Sequence, residues 1–92
     1  MNERPGAHEL RLLGQPVDGT VEAVFRWGII DDAGLSRVGL IDALYIDDED
    51  TYEVGQCVTC ILDCFDEQKN KFILRPPHQV PLAERLRRAR ER

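Results

Sequence analysis

The chain predicts an all-β fold: one five-stranded barrel followed by a short C-terminal α-helix. Three observations carry that expectation. Five β-rich segments, PVDGTVEAVF, WGII, VGLIDALYI, CVTCILDCF and KFILR, fall within about sixty residues. Gly14, Gly19, Gly28, Gly39 and Gly55 stand where those segments begin, bend or end. The pair Pro76-Pro77 then stops the pairing, because neither nitrogen can donate to a ladder. A barrel this small is usually a binding module rather than an enzyme.

Taken in order, residues 1–13 read as an N-terminal arm, with any order concentrated in HELRLL. Residues 14–75 read as the barrel. In the first strand Val21 and Val24 are three apart, so both face inward only if a bulge intervenes. Gly28 in WGII suggests a sharply bent second strand. DDAGLSR has turn chemistry, with Asp32 and Gly34 at its corner. VGLIDALYI supplies a third strand, and the short acidic run 47–50 leads to a fourth, CVTCILDCF. DEQKN, between Phe65 and Phe72, is a hairpin turn. Residues 76–92 read as a Pro-Pro linker and an Arg-rich helix. Pro81 suits a first helical turn, and Leu82, Leu86 and Ala89 fall on one stripe.

A chain of 92 residues with 42% apolar content fits one folded domain. It holds no apolar run of about 18 residues, so no membrane-spanning segment is expected. The segment MNERPGAHELRLL mixes arginines with glutamates and is not read as a secretion signal, which leaves the cytoplasm as the expected location. The protein is acidic, with a net charge of −5. The charge is uneven, because Arg85, Arg87, Arg88, Arg90 and Arg92 crowd the tail. Such a tail could attract either a phosphate chain or its own acidic barrel.

Cys57, Cys60 and Cys64 form C-x-x-C-x-x-x-C, a spacing that invites a zinc or redox reading. On a strand, however, Cys57 and Cys60 point to opposite faces, and Val58, Cys60 and Leu62 make the natural core set. The cysteines are therefore expected to be structural thiols, with no metal, no disulfide and no cofactor. No nucleophile–base pair stands out, and no catalytic residue or enzyme activity is expected.

The ordered run GQPVDGTVEAVFRWGII, VGLIDALYI and YEVGQCVTCILDCFDEQKNKFIL resembles the S-one-type RNA-binding domain, a repeat of the largest small-subunit ribosomal protein. The match covers about two thirds of the chain. The resemblance implies an oligonucleotide/oligosaccharide-binding (OB) barrel, in agreement with the strand count, and a face that binds single-stranded RNA. Carried over residue by residue, Trp27 falls at the first base-stacking aromatic and Ile30 at the second. Asp42 falls at a histidine, Asp66 at the hairpin aspartate and Lys71 at a basic position, allowing one extra turn residue. Leu44 replaces a serine. Ile30 therefore removes a stacking platform, and Asp42 places an anion where phosphates would approach.

Each site residue also has a plainer reading. Trp27 either presents a stacking platform or covers the barrel end. Phe25 either extends an aromatic patch with Trp27 or packs in the core beyond a bulge. Asp66 either caps its turn or serves the site, orienting Lys71 or accepting from a base. Lys71 and Arg75 are either phosphate contacts or ordinary solvated charges. The leading expectation is weak, non-catalytic binding of single-stranded RNA. The alternative is a protein-interaction module, working within a larger assembly, that kept the barrel and lost the RNA site.

Overall fold

The computed structural model describes residues 5–47 and 50–90, without the side chains of Leu82 and Ala89. Five strands close into a barrel: β1 (Pro16–Phe25), β2 (Gly28–Asp32), β3 (Gly39–Asp42), β4 (Cys57–Asp66) and β5 (Lys71–Arg75). Around the barrel their order is β1-β2-β3-β5-β4. All neighbours run antiparallel except β3 and β5, which are parallel. This is the small OB-type barrel that the strand count implies. A short helix, α1 (Ala7–Leu10), precedes it and α2 (Leu82–Arg90) follows it.

The core follows the period of two on β4, whereas Gly39–Ile41 on β3 and Phe72–Leu74 on β5 are buried residue after residue. On β4, Cys60 and Leu62 are buried, Val58 packs against them, and Cys57 is exposed on the other face. Ile29 faces Ile41 across β2 and β3, and Leu62 faces Leu74 across β4 and β5. Val21, Phe72 and Tyr45 join this cluster, and Leu40 and Ile73 are buried as well. A bulge between Leu62 and Cys64 resets the register before the β4–β5 hairpin.

Bulge and glycine chemistry close the ring. Strand β1 pairs with β4 over Pro16–Thr20 and with β2 over Thr20–Phe25, with a bulge between Val21 and Ala23. The bulge is where the spacing of Val21 and Val24 calls for one, but Val24 does not turn inward. It is 47% exposed, because β1 has passed the end of its pairing with β4 and extends beyond the core. A Cβ at Gly28 would lie 2.6 Å from the Ile41 carbonyl oxygen, and one at Gly19 2.0 Å from the Asp31 carboxylate. Only glycine lets these strands approach so closely.

Two segments depart from expectation. VGLIDALYI is not one strand. It breaks at Asp42, whose Oδ1 accepts from the Leu44 N–H at 3.0 Å and caps a 3-10 turn, Ala43–Tyr45. Within the segment read as an arm, α1 lies against the barrel through Glu9. Its two carboxylate oxygens accept from the Ser36 N–H at 2.7 Å and the Ser36 hydroxyl at 2.5 Å. These bonds, led by the hydroxyl, hold the Glu9 carboxyl below its usual range against the opposing effect of burial.

The chain after β5 is tied back to the barrel. The Tyr45 hydroxyl donates to the Val80 carbonyl at 2.8 Å. Burial, followed by the nearby Asp63 charge, pushes its pKa up to about 12. In α2, Arg87 and Arg88 both pair with Glu84. Of the stripe expected on this helix, only Leu86 has a described side chain, and it is 40% exposed. Arg92 lies outside the described residues.

Candidate nucleic-acid interface

The site grows from two tight turns that the barrel brings side by side. Phe25 pairs with Gly28, so the β1–β2 hairpin turns on just Arg26 and Trp27. A two-residue turn at the barrel end has no interior in which to place an indole. Trp27 is accordingly 53% exposed and Phe25 47%. Their rings stack with centroids 4.6 Å apart and planes within 6°. An Ala43 N–H donates to the Trp27 carbonyl at 3.2 Å and fixes the turn against the end of β3. Core packing, the plainer reading of Phe25, is overturned by this exposure.

The second turn joins β4 to β5. Asp66 Oδ1 accepts from the N–H groups of Gln68 and Lys69 at 3.0 and 3.1 Å, and Asn70 takes the left-handed conformation with φ 54°. Asp66 is thus a turn cap, the plainer of its two readings. The turn projects Lys69 toward β3, where its Nζ lies 3.9 Å from Asp42 Oδ2. Lys71 Nζ donates to the Lys69 carbonyl at 3.2 Å.

Between the turns lies an open groove of about 580 Å³. Trp27, from the β1–β2 turn, and Lys69 and Lys71, from the β4–β5 turn and the start of β5, line it. Leu40, Ala43 and Leu44 supply an apolar floor, and Asp42 adds a carboxylate. The groove therefore combines an aromatic ring, two cations, one anion and apolar surface, a set suited to a flat heterocycle with attached phosphate.

Three of the expected site residues, Trp27, Asp42 and Lys71, line this groove, and Phe25 backs it. Ile30 does not line it; it is half-buried on β2 between Ala23 and Leu40. Arg75 also lies outside it, at the far end of β5. Its Nε donates to Asp63 at 3.1 Å and its guanidinium to the Gln79 carbonyl at 2.9 Å, so its polar groups serve the fold. The alternation of β5 placed Lys71 and Arg75 together, but it could not reveal that the returning chain meets only one of them. Lys69, absent from the sequence reading, was hidden because a turn residue has no periodic pattern. Exposed Arg26 on the same turn as Trp27 was missed for the same reason.

One buried acid also escaped sequence reading. Asp31 is 1% exposed on β2, beneath Gly19, and among the described residues its Oδ1 has no hydrogen-bond partner. Burial, with lesser repulsion from Asp32 and Glu22, raises its pKa to about 6. Burial likewise pushes the Cys60 and Cys64 thiols up to about 11. Among the described residues, no group of three or more His, Cys, Asp or Glu is placed to hold a metal ion. Among the same residues, no helix is long and apolar enough to cross a membrane.

No family model matches the chain, and no curated protein does. Among solved structures, the solution structure of GSP13 from Bacillus subtilis is similar, with a TM-score of 0.58 over 84% of this chain and 69% of that one. The two are 19% identical. At that identity the likeness bears on the barrel, which the two proteins share, and not on the groove.

Proposed function

We propose that the protein is a non-catalytic, S-one-like module that binds single-stranded RNA weakly in the groove beside Trp27. The observation that carries this reading is the half-exposed indole, held stacked on Phe25, facing a space bordered by two lysines. A base stacks on such a ring whatever its identity, contributing about 1–3 kcal/mol. Lys71 and Arg26 would supply the phosphate contacts. Affinity is modest because Ile30 offers no second ring on the adjoining strand and the chain as a whole is acidic.

The test uses the chain's one tryptophan as reporter. Unstructured RNA twelve-mers should quench Trp27 fluorescence, with an apparent affinity that falls as salt is raised. Unchanged fluorescence and unmoved amide signals at millimolar RNA would remove the proposal.

A second reading rests on the apolar character of the same end. Phe25, Trp27 and Leu44 are all substantially exposed, which suits a protein partner anchored on aromatic side chains. Such a partner would co-purify with the intact chain and be lost on Trp27→Ala.

A further inference from the structure

The carboxylate in the groove has a use that the RNA reading alone does not assign. Asp42 Oδ1 already accepts from the Leu44 N–H at 3.0 Å, which fixes the orientation of the carboxylate. Asp42 Oδ2 has Lys69 Nζ at 3.9 Å, beyond hydrogen-bond reach. The groove thus holds an oriented acceptor with unused capacity, an ammonium group beside it, and an exposed indole among the same lining residues. A phosphate would find the lysines attractive and Asp42 repulsive. A base edge that carries donors next to an acceptor would find both favourable.

We infer that Asp42 and Lys69 read the Watson–Crick edge of a guanine stacked on Trp27. This inference rests on the RNA reading above and adds a base preference to it. Guanine presents N1–H and N2–H as adjacent donors, followed by O6 as an acceptor. The carboxylate takes the two donors and the Lys69 ammonium donates to O6. Adenine and cytosine set a single amino donor beside a ring-nitrogen lone pair, which faces the carboxylate unfavourably. Uracil has one imino donor between two carbonyl oxygens. Single-stranded bases are commonly read at this edge, and the base whose hydrogen bonds are all met is preferred over those that leave a buried group opposed. An aspartate that looks like the loss of a binding residue becomes the residue that selects.

The experiment compares uridine hexamers carrying G, inosine, A, C or U at one central position, read by Trp27 fluorescence. Guanine should bind about fivefold tighter than A, C or U, the low end of a bidentate contact because flanking uridines compete. Inosine, which lacks the N2 amino group, should fall between. In Asp42→Asn the side-chain oxygen can still accept from Leu44, but a donor replaces the second acceptor, and the guanine preference should fall to about one. Lys69→Gln, in an exposed turn, should weaken guanine and inosine alike relative to adenine. Equal binding of all five hexamers by the wild type overturns the guanine inference and leaves RNA binding intact. A guanine preference that survives Asp42→Asn overturns it as well. Failure of every hexamer to bind overturns the RNA reading and this inference with it.

Discussion

Lys71 and Arg75 open and close the same five-residue strand, and their surroundings could hardly differ more. At the far end, Arg75 lies between the Asp63 carboxylate and the Gln79 carbonyl, close to where the Tyr45 hydroxyl holds Val80. There the chain leaves the barrel and folds back, so a cation becomes a cross-link. At the near end, Lys71 borders a groove between two tight turns, with its ammonium on a single backbone carbonyl. Among the described residues, none after β5 lines that groove. The comparison teaches that alternation along a strand selects a face, while the path of the neighbouring chain decides whether a charge is used internally or remains for a ligand.

The largest expected effect tests the far end. Arg75→Ala should destabilise the fold by about 3 kcal/mol, because it leaves Asp63, whose side chain is 8% exposed, without this partner. For a chain of this size the melting midpoint should fall by roughly 10 °C or more. Thermal unfolding followed by circular dichroism measures this. A normal midpoint combined with weakened RNA binding would reverse the roles given to the two ends.

Asp31 sharpens the comparison, since it is a buried carboxyl that does not line the groove and whose Oδ1 has no hydrogen-bond partner among the described residues. Its pKa is raised from 3.8 to about 6, so the native state keeps a proton that the unfolded chain releases. That contribution to stability is complete below about pH 4 and is lost as pH rises through about 6. Its span is roughly 2–3 kcal/mol. Asp31→Asn should remove this component, so the stability of the wild type relative to the variant should fall between pH 4 and 7. A difference that stays flat across that range would show that the carboxyl is not held in the buried setting described.

Smaller effects belong to the near end. Trp27→Ala should weaken RNA binding about 10- to 100-fold, the usual loss for one stacked base. It should lower stability by only about 1 kcal/mol through the lost stack with Phe25. Lys71→Gln should change affinity least. Its signature is a drop of about 0.7 in the dependence of log affinity on log salt, one phosphate contact on a single strand. If Lys71→Gln leaves that slope unchanged, Lys71 is not a phosphate contact.

Much of the architecture could be read from the residues themselves. The segments PVDGTVEAVF and KFILR coincide with β1 and β5, and the facing of Cys57 and Cys60 follows from simple alternation. What escaped were features set by partners distant in sequence. Asp42 ends a strand that looks continuous, because its side chain caps the next turn. Asp31-Asp32 reads as a pair of turn acids, yet only Asp32 serves the turn, accepting from the Gly34 N–H at 2.9 Å. Lys69 reaches Asp42 only because β3 and β5 run side by side in parallel, a pairing that no local pattern announces.

Chemical-shift mapping with an unstructured RNA twelve-mer at millimolar concentration tests the central claim most directly. The Trp27 indole and the amides of Asp42, Leu44, Lys69 and Lys71 should move together and return as salt is raised, while those of Arg75 and Gln79 stay in place. Shifts confined to the Arg75 end, or none at the Trp27 groove, would contradict it.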